Sequence, residues 1–325
     1  MEEKITVIGA GLVGSLLSIF MAKRGYSVQT FEGRSDPRHR YFDGGRSINL
    51  ALSHRGLKAL EAVDLRDKVD ELCIPMKGRM VHDLQGNTNF QPYGKEGQFI
   101  NSVSRGGLNQ LLLEEAEEEG VKIHFNHKCL GVDDHKTQAY FKTNRQSVSV
   151  DSNFILAADG AFSAVRNAYM KTPRFNYEQH YITAGYKELN IPAKEGDFAI
   201  EPNALHIWPR GKFMLIALPN LDKSFTVTLF LPFEGEQSFE KLKSDEEILG
   251  FFSKEFPDTL EMMPDLLEDF KTNPTSGLVT IRCFPWAKDN TLLIGDAAHA
   301  IVPFYGQGMN AGFEDCLVLN QLIEE

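Results

Sequence analysis

The chain has 325 residues, 42% of them hydrophobic, so it is long enough for two domains with buried cores. Its 45 acidic residues outnumber its 34 basic ones, and the net charge of −11 argues against nucleic acid and anionic membrane as bulk partners, because both need a basic face. The four cysteines lie far apart without a CxxC spacing, which predicts neither disulfides nor a metal site. The N-terminus is acidic and no apolar run reaches about 18 residues, which indicates a cytoplasmic protein without a signal peptide or transmembrane segment.

The first elements of the chain have the pattern of a nucleotide-binding unit. Ile5 to Ile8 read as a buried strand that runs into Gly9-Ala-Gly11-Leu-Val-Gly14 and then into residues of helical spacing. In such a turn the first glycine allows the sharp bend, the second lets backbone approach a pyrophosphate, and the third lets the helix pack on the strand. A second strand, Ser27 to Phe31, ends on Glu32, where an acidic side chain would hold a ribose hydroxyl. The spacing predicts a dinucleotide pocket.

A long turn-rich and basic segment, Gly33 to Gly45, follows the second strand. Loops of this length in compact domains are usually functional or disordered. Two interpretations stay open, an ordinary surface loop or a loop that covers a bound cofactor, and we favour the second. Arg46 to Ser53 then lead into a helix from about His54.

The middle of the chain mixes short strands with one long helix. Residues 76–100 read as short strands, and Ser104 to Gly120 read as a helix whose acidic end is a solvated face. Val121 to Leu130 read as one strand. On a strand the spacing of His124 and His127 places them on opposite faces, so we do not expect them to share a metal ion.

The second half changes from one pattern to another and back. Phe154 to Asp159 form a continuous apolar run of the buried parallel type. Residues 213–218 and 224–230 alternate with period two, as antiparallel strands with one covered face do. At Thr291 a buried strand returns. The order predicts a nucleotide-binding domain with a β-rich domain inserted into it, and pockets form preferentially at such junctions.

Two later apolar strands, from Phe154 and from Thr291, are each followed by a pair of one glycine and one aspartate, just as the first strand is followed by the glycine turn. The pairs are Asp159-Gly160, in LAADGAFSAVR, and Gly295-Asp296, in LIGDAAH. Each lies at the carboxyl end of a strand, where open α/β sheets bind ligands. Over most of its length the sequence thereby resembles the single-component FAD-dependent aromatic hydroxylases.

Further residues resemble the branch of this family that hydroxylates kynurenine. They are the stretch Gly45 to Gly56, Arg79, the turn at Tyr93, and the segment VPFYGQGMNAGFED. The resemblance implies an α/β fold, with a Rossmann-like FAD-binding domain of the p-hydroxybenzoate hydroxylase type and an inserted antiparallel substrate domain. The implied FAD-binding domain is discontinuous and comprises residues 1–75, 101–175 and 283–325. The implied substrate domain comprises residues 76–100 and 176–282.

The resemblance assigns the cofactor and substrate residues one by one. The cofactor-binding residues are Gly9, Gly11, Leu12, Gly14, Glu32, Gly33, Arg34, Ala51, Arg105, Leu130, Asp159, Ala164, Asp296, Gly308, Met309 and Asn310. The substrate-binding residues are Arg79, Tyr93, Ala51, Phe304 and Tyr305. Histidine is common after Phe304 in the family, so Tyr305 is a departure, and it leaves the polarity of the pocket open.

Several of these residues have implied roles that make chemical sense. Arg105 would pair with an FAD phosphate and Asp296 would hold the ribityl hydroxyls, whereas an exposed helix-start arginine and a capping aspartate are the structural alternatives. Backbone N–H groups of residues 308–310 would face the flavin pyrimidine edge. Arg79 and Tyr93 would bind the α-carboxylate of an amino-acid substrate, since a guanidinium binds carboxylate bidentately. Without the resemblance, Arg79 would read as a surface residue.

The implied reaction is the hydroxylation of L-kynurenine to 3-hydroxykynurenine, a step in tryptophan degradation. NADPH, a transient co-substrate, would reduce the resident FAD, and O2 would react through a flavin C4a-hydroperoxide. No residue is assigned as a general acid or base, because the hard chemistry belongs to the flavin. The implied partners are L-kynurenine, O2 and NADPH.

Alternative functions stay open at this point. The chain could be another FAD-dependent aromatic hydroxylase, a flavin oxidoreductase that inserts no oxygen, or an FAD-binding protein without enzymatic activity. We also expect a C-terminal segment after Glu325 with further substrate contacts, which could add membrane association. The sequence leaves the oligomeric state, monomer or homodimer, open.

Overall fold

A computed structural model describes residues 3–39, 49–95, 97–133 and 135–324. From position 40 onwards the predicted cofactor-covering loop, Gly33 to Gly45, lies outside the described residues. In chain order the strands are β1 (Lys4–Ile8), β2 (Ser27–Phe31), β3 (Asn49–Leu52), β4 (Cys73–Met76), β5 (Gly78–His82), β6 (Thr88–Pro92), β7 (Ile100–Ser104), β8 (Lys122–His124), β9 (Lys128–Asp133), β10 (Gln138–Lys142), β11 (Ser147–Asp151), β12 (Phe154–Ala157), β13 (Asn176–Ile191), β14 (Ala204–Arg210), β15 (Phe213–Pro219), β16 (Phe225–Pro232), β17 (Ser276–Phe284), β18 (Ala287–Lys288) and β19 (Thr291–Leu293).

The helices connect these strands. They are α1 (Leu12–Lys23), α2 (His54–Glu61), α3 (Arg66–Asp70), α4 (Arg105–Glu118), α5 (Ala164–Tyr169), α6 (Asp245–Glu255), α7 (Leu266–Thr272), α8 (Asp296–His299) and α9 (Gly308–Glu324). Short 3₁₀ helices lie at Pro37–His39, Phe239–Lys241, Pro257–Met262 and Pro303–Tyr305.

The nucleotide-type sheet has the strand order β18-β19-β12-β1-β2-β8 and is parallel except for β18. Its apolar strands are buried on both faces. One face packs against α1, α2, α4 and α9, and the other against α5 and the small sheet β11-β10-β9. Because β1, β2, β12 and β19 run the same way, the residues that follow them meet at one edge of the sheet. The glycine turn, Glu32, Asp159 and Asp296 therefore share that edge.

The larger sheet has the strand order β17-β13-β16-β15-β14-β5-β6 and is antiparallel except where β5 pairs with β14. Alternate residues of its central strands form a core with α6 and α7, as period-two patterning requires. The intervening residues are mostly half-buried and lie on the opposite face, where Phe230 contacts Phe304 at 5.2 Å between ring centroids. Its strands come from residues 78–92 and 176–284, so β17 extends two residues beyond the second domain predicted at 76–100 and 176–282; the exact domain division stays a prediction.

The single strand predicted for Val121 to Leu130 is wrong. A break in the strand separates β8 from β9, and in the turn between them Asn126 adopts a φ of +59°. The break brings His124 and His127 to the same side, with their rings 5.7 Å apart and both packed on Phe31. The argument that strand alternation separates these histidines therefore fails, because alternation ends at the turn.

A buried chain of hydrogen bonds ties β5 and β14 to the helical layer. His82 bonds Asp258 through Nδ1 and His206 through Nε2, both at 2.8 Å. His206 Nε2 bonds the backbone oxygen of Glu201 at 2.8 Å, and Trp208 donates to Asp258 at 2.8 Å. A carbonyl only accepts, so Nε2 of His206 carries the hydrogen and its Nδ1 accepts from His82. Burial lowers the pKa of His206 from 6.5 to about 4, so it is neutral at pH 7.

This network predicts loss of stability in acid. The unfolded chain protonates residue 206 near pH 6.5 but the folded chain only near pH 4, so the free energy of unfolding falls between these values by about 3 kcal/mol. In His206→Gln the free energy of unfolding should no longer show this fall with pH. In His180→Gln, at an exposed position of β13, the fall should remain. Urea unfolding across this pH range measures the difference. Identical slopes for wild type and His206→Gln would contradict the assignment.

Candidate active site

The glycine turn after β1 is packed as the sequence predicts. A Cβ on Gly14 would lie 1.9 Å from the backbone oxygen of Gly9, and one on Gly9 would lie 2.5 Å from that of Ala158. Gly9 also has a φ of +99°, which favours glycine. Gly11 differs, because a Cβ there would meet nothing within 4 Å. It caps α1, next to Leu12, and its open side leaves room for a ligand at the helix N-terminus.

Glu32 lies beside this turn, as predicted, and already has protein partners. Its carboxylate accepts hydrogen bonds from the N–H of Ala10 at 3.0 Å and from Arg34, whose N–H and Nε each lie at 2.9 Å. Burial would raise the pKa of Glu32, but the bonds from Arg34 outweigh it and lower the pKa. Gly33 lies between them and packs against Lys128. The Arg34 side chain is largely exposed, so it can move when a hydroxyl competes for the carboxylate.

Asp159 follows β12 and faces the start of α5. Its Oδ2 accepts from the N–H groups of Ala164 at 2.7 Å and Val165 at 3.3 Å. Its Oδ1 is buried and has no partner in the part of the chain that the structure describes. Burial raises the pKa of Asp159 despite these hydrogen bonds. An unpartnered buried oxygen is costly, so this atom is a candidate for a ligand contact.

Asp296 begins α8 at the same edge. Its side chain is exposed to solvent, yet the surrounding protein partly desolvates the carboxylate and raises its pKa, an effect that the charges of His299 and Arg105 oppose. Arg105, the first residue of α4, also lies near Glu188 of β13. The predicted phosphate residue, Arg105, and the predicted ribityl residue, Asp296, are therefore close enough for their charges to interact. A Cβ on Gly308 would lie 3.8 Å from Asp296 Oδ1, which places the start of α9 here too.

The start of α9 presents backbone donors. Ala311 is hydrogen-bonded to Gln307 in the first helical turn, so the N–H groups of Gly308, Met309 and Asn310 precede the helical ladder. The side chain of Asn310 was not anticipated. It is fully buried and donates to the backbone oxygens of Ala51, at 2.8 Å, and Gly306, at 2.9 Å.

Arg79 and Tyr93 come together on the edge of the larger sheet. The Arg79 guanidinium carbon lies 5.1 Å from the centre of the Tyr93 ring. Arg79 lies on β5 and Tyr93 directly follows the neighbouring strand β6, and the Tyr93 N–H donates to the oxygen of Lys77 at 3.0 Å. Burial raises the pKa of the Tyr93 phenol although the Arg79 charge opposes the rise, so the phenol is a hydrogen-bond donor at neutral pH.

The remaining predicted residues divide into two groups. Phe304 packs on Phe230 of the larger sheet, which the sequence did not single out. Leu130, on β9, and Tyr305 are 53% and 82% exposed, and the structure joins neither to the other predicted side chains. Beyond Asn310, sequence reasoning missed Asp315 and His299, which lie 16 residues apart and carry no spacing signal.

The comparisons with known proteins agree with this geometry. The FAD-binding domain family matches residues 2–324. The kynurenine 3-monooxygenase of Flavobacterium psychrophilum is 49% identical over 328 residues, covering all of this chain and 73% of that protein. The Sus scrofa kynurenine 3-monooxygenase is 48% identical over 329 residues, covering all of this chain and 69% of that protein. The chain belongs to the kynurenine 3-monooxygenase family.

Two solved structures share the fold of this kynurenine 3-monooxygenase family member. The tetrameric form of 2-methyl-3-hydroxypyridine-5-carboxylic acid oxygenase has a TM-score of 0.81 and 22% identity, covering all of this chain and 83% of that one. Pseudomonas aeruginosa PqsL in complex with 2-aminobenzoylacetate has a TM-score of 0.79 and 17% identity, covering 100% and 86%. The predicted α/β fold is therefore confirmed. In the described residues of this family member, no helix is long and apolar enough to cross a membrane.

Proposed function

We propose that this chain is an FAD- and NADPH-dependent monooxygenase that hydroxylates L-kynurenine to 3-hydroxykynurenine. The observation that carries the proposal is the 49% identity with a kynurenine 3-monooxygenase over the whole chain. The Arg79–Tyr93 pair supports it, since this pair suits an amino-acid carboxylate. The relatives named above, both kynurenine 3-monooxygenases, favour this reading over a flavin oxidoreductase that inserts no oxygen and over a protein without activity.

The residues at the sheet edge fit FAD. Gly11 leaves an open approach at the N-terminus of α1, where a pyrophosphate is favoured. Glu32, which accepts a hydrogen bond from the N–H of Ala10 beside the glycine turn, would hold a ribose hydroxyl, and Asp159 has a buried oxygen without a hydrogen-bond partner among the described residues. Asp296 and the N–H groups at the start of α9 would hold the ribityl chain and the pyrimidine edge. Arg105, beside Asp296, would pair with a phosphate. When bound, FAD would accept hydride from NADPH and activate O2 for insertion into an aromatic ring.

The protein's own groups would then bind and orient the substrate. Arg79 would pair with the α-carboxylate, and the protonated Tyr93 phenol would donate a second hydrogen bond to it. Phe230 and Phe304 would form an apolar surface against the aromatic ring and exclude water. Ala51, held by Asn310, would lie between cofactor and substrate. No side chain is assigned as a proton donor or acceptor in the reaction.

Mass analysis of the product tests this proposal. Incubation with L-kynurenine, NADPH and O2 should give a product heavier by one oxygen atom, formed in proportion to the NADPH consumed. Kynurenamine, which lacks the α-carboxylate, is the matched control and should be a poor substrate. NADPH consumption that yields only hydrogen peroxide from kynurenine would contradict the substrate assignment. A purified chain without a flavin spectrum would contradict the cofactor assignment as well.

The cytoplasmic location stays a prediction, and the oligomeric state stays open.

A further inference from the structure

The carboxylate of Asp315 accepts hydrogen bonds from both ends of α8, the short helix that begins at Asp296. Asp315, on α9, accepts a hydrogen bond from the N–H of Gly295 at 2.9 Å and another from Nε2 of His299 at 2.6 Å. Gly295 is the residue before α8 and His299 is its last residue. Both bonds go to the same atom, Oδ2, and both side chains of the pair are about four-fifths buried.

The helix needs this support because it has little of its own. With four residues, α8 forms hardly one turn, and isolated turns of this length are unstable. Gly295 has a φ of +60°, and a Cβ there would lie 3.1 Å from Val13, so this backbone is fixed by its surroundings. On the other side the buried guanidinium of Arg166 donates to the backbone oxygen of Ala297 at 2.8 Å. An anion and a cation thus hold α8 from two sides.

The charges around His299 favour its protonated form. Burial would lower its pKa, but the hydrogen bond from its ring to Asp315 and the charges of Asp315 and Asp296 raise the pKa overall. The positive charge of Arg105, on α4, acts on Asp296 as well and opposes the rise of its pKa. The Trp286 ring covers His299 at 5.0 Å, and the thiol of Cys283, whose pKa is raised by burial, bonds the nearby backbone oxygen of Ala298. The charges of the two carboxylates thus favour the protonated form of His299, and the positive charge of that form offsets the repulsion between Asp315 and Asp296.

We propose that Asp315 and His299 are positioning residues that fix Asp296 and the Gly295 turn for the ribityl chain of the cofactor. The inference rests on the proposed function, because it takes FAD as the ligand of Asp296. Among the described residues, the hydrogen bonds and ring contacts of this pair go to Gly295 and Trp286, and none goes to the predicted substrate residues Arg79 and Tyr93. Loss of the pair should therefore weaken FAD binding and leave the KM for kynurenine unchanged at saturating FAD.

Dialysis of the holoenzyme, with released flavin measured by fluorescence, tests the proposal. Asp315→Asn should raise the FAD dissociation constant by about tenfold or more, as expected for a lost hydrogen bond between charged groups. Glu314→Gln is the matched control: it removes the adjacent carboxylate, which is half-exposed and pairs with Arg55 at 3.4 Å, and should change the constant by less than about twofold. Asp315→Glu should restore part of the affinity.

A pH profile separates positioning from a general effect on folding. The wild-type FAD affinity should fall as pH rises through the raised pKa of His299, and His299→Gln, which keeps a donor for Asp315, should remove that fall. Should Asp315→Asn fail to fold, the His299→Gln profile alone decides. Unchanged affinity in Asp315→Asn, or parallel profiles for wild type and His299→Gln, would overturn the proposal. A wild-type chain that binds no FAD would instead contradict the proposed function.

Discussion

Replacing Arg79 by alanine should raise the KM for L-kynurenine by roughly 2–4 kcal/mol in free-energy terms, which is roughly 30- to 900-fold. The reason is the loss of a bidentate, charge-assisted contact to the α-carboxylate. Tyr93 cannot replace it, because a phenol donates one hydrogen bond and carries no charge. Steady-state kinetics at saturating NADPH measure the effect. The flavin spectrum should stay unchanged, since Arg79 lies on the larger sheet and FAD is assigned to the other.

Two further variants give this prediction its controls. Arg79→Lys keeps the charge but loses the planar fork, so its KM should lie between those of wild type and Arg79→Ala. Arg282→Ala removes a 76% exposed arginine on β17, the opposite edge of the same sheet, and should leave the KM unchanged. If Arg79→Ala has the wild-type KM for kynurenine, Arg79 does not bind the carboxylate and the substrate site lies elsewhere.

The sequence predicts the nucleotide fold well because each of its signals is local. The apolar run of β1, the glycine turn and Glu32 follow each other directly, and parallel strands bring their ends to one edge whatever the remaining chain does. The break between β8 and β9 was missed because a turn with Asn126 in the left-handed region carries a weaker signal than glycine. Period and composition alone could not separate two short strands from a longer one.

The sequence predicts residues of the candidate site only where they belong to a recognisable motif. Arg79 and Tyr93 were found through the family resemblance, and the structure supplies the physical reason, the pairing of β5 with β6. The partners of these residues were missed because long-range contacts leave no spacing in the sequence. Asp315 meets Gly295 across 20 positions, and Asn310 meets Ala51 across 259. Such contacts follow from the packing of α9 against the sheet edge and against β3.

Gly14→Ala should abolish FAD binding through the fold itself. Its Cβ would lie 1.9 Å from the backbone oxygen of Gly9. The two atoms would clash, and only a shift of α1 away from β1 could relieve the clash. Because α1 is buried along most of its length, we expect a loss in the free energy of unfolding of more than about 3 kcal/mol. Urea unfolding measures this loss, and flavin released on dialysis measures the binding.

Gly11→Ala, in the same turn, should distinguish an effect on FAD binding from an effect on folding. Its Cβ meets no protein atom within 4 Å and its φ of −76° suits alanine, so unfolding should be unchanged while FAD affinity falls, because the methyl group takes the space of the pyrophosphate. Gly250→Ala, in α6 with equally open surroundings, should stabilise the protein by about 0.5–1 kcal/mol and leave FAD bound. If Gly11→Ala binds FAD as wild type does, the pyrophosphate does not lie on this turn, and the roles of Glu32 and Asp296 have to be reassigned with it.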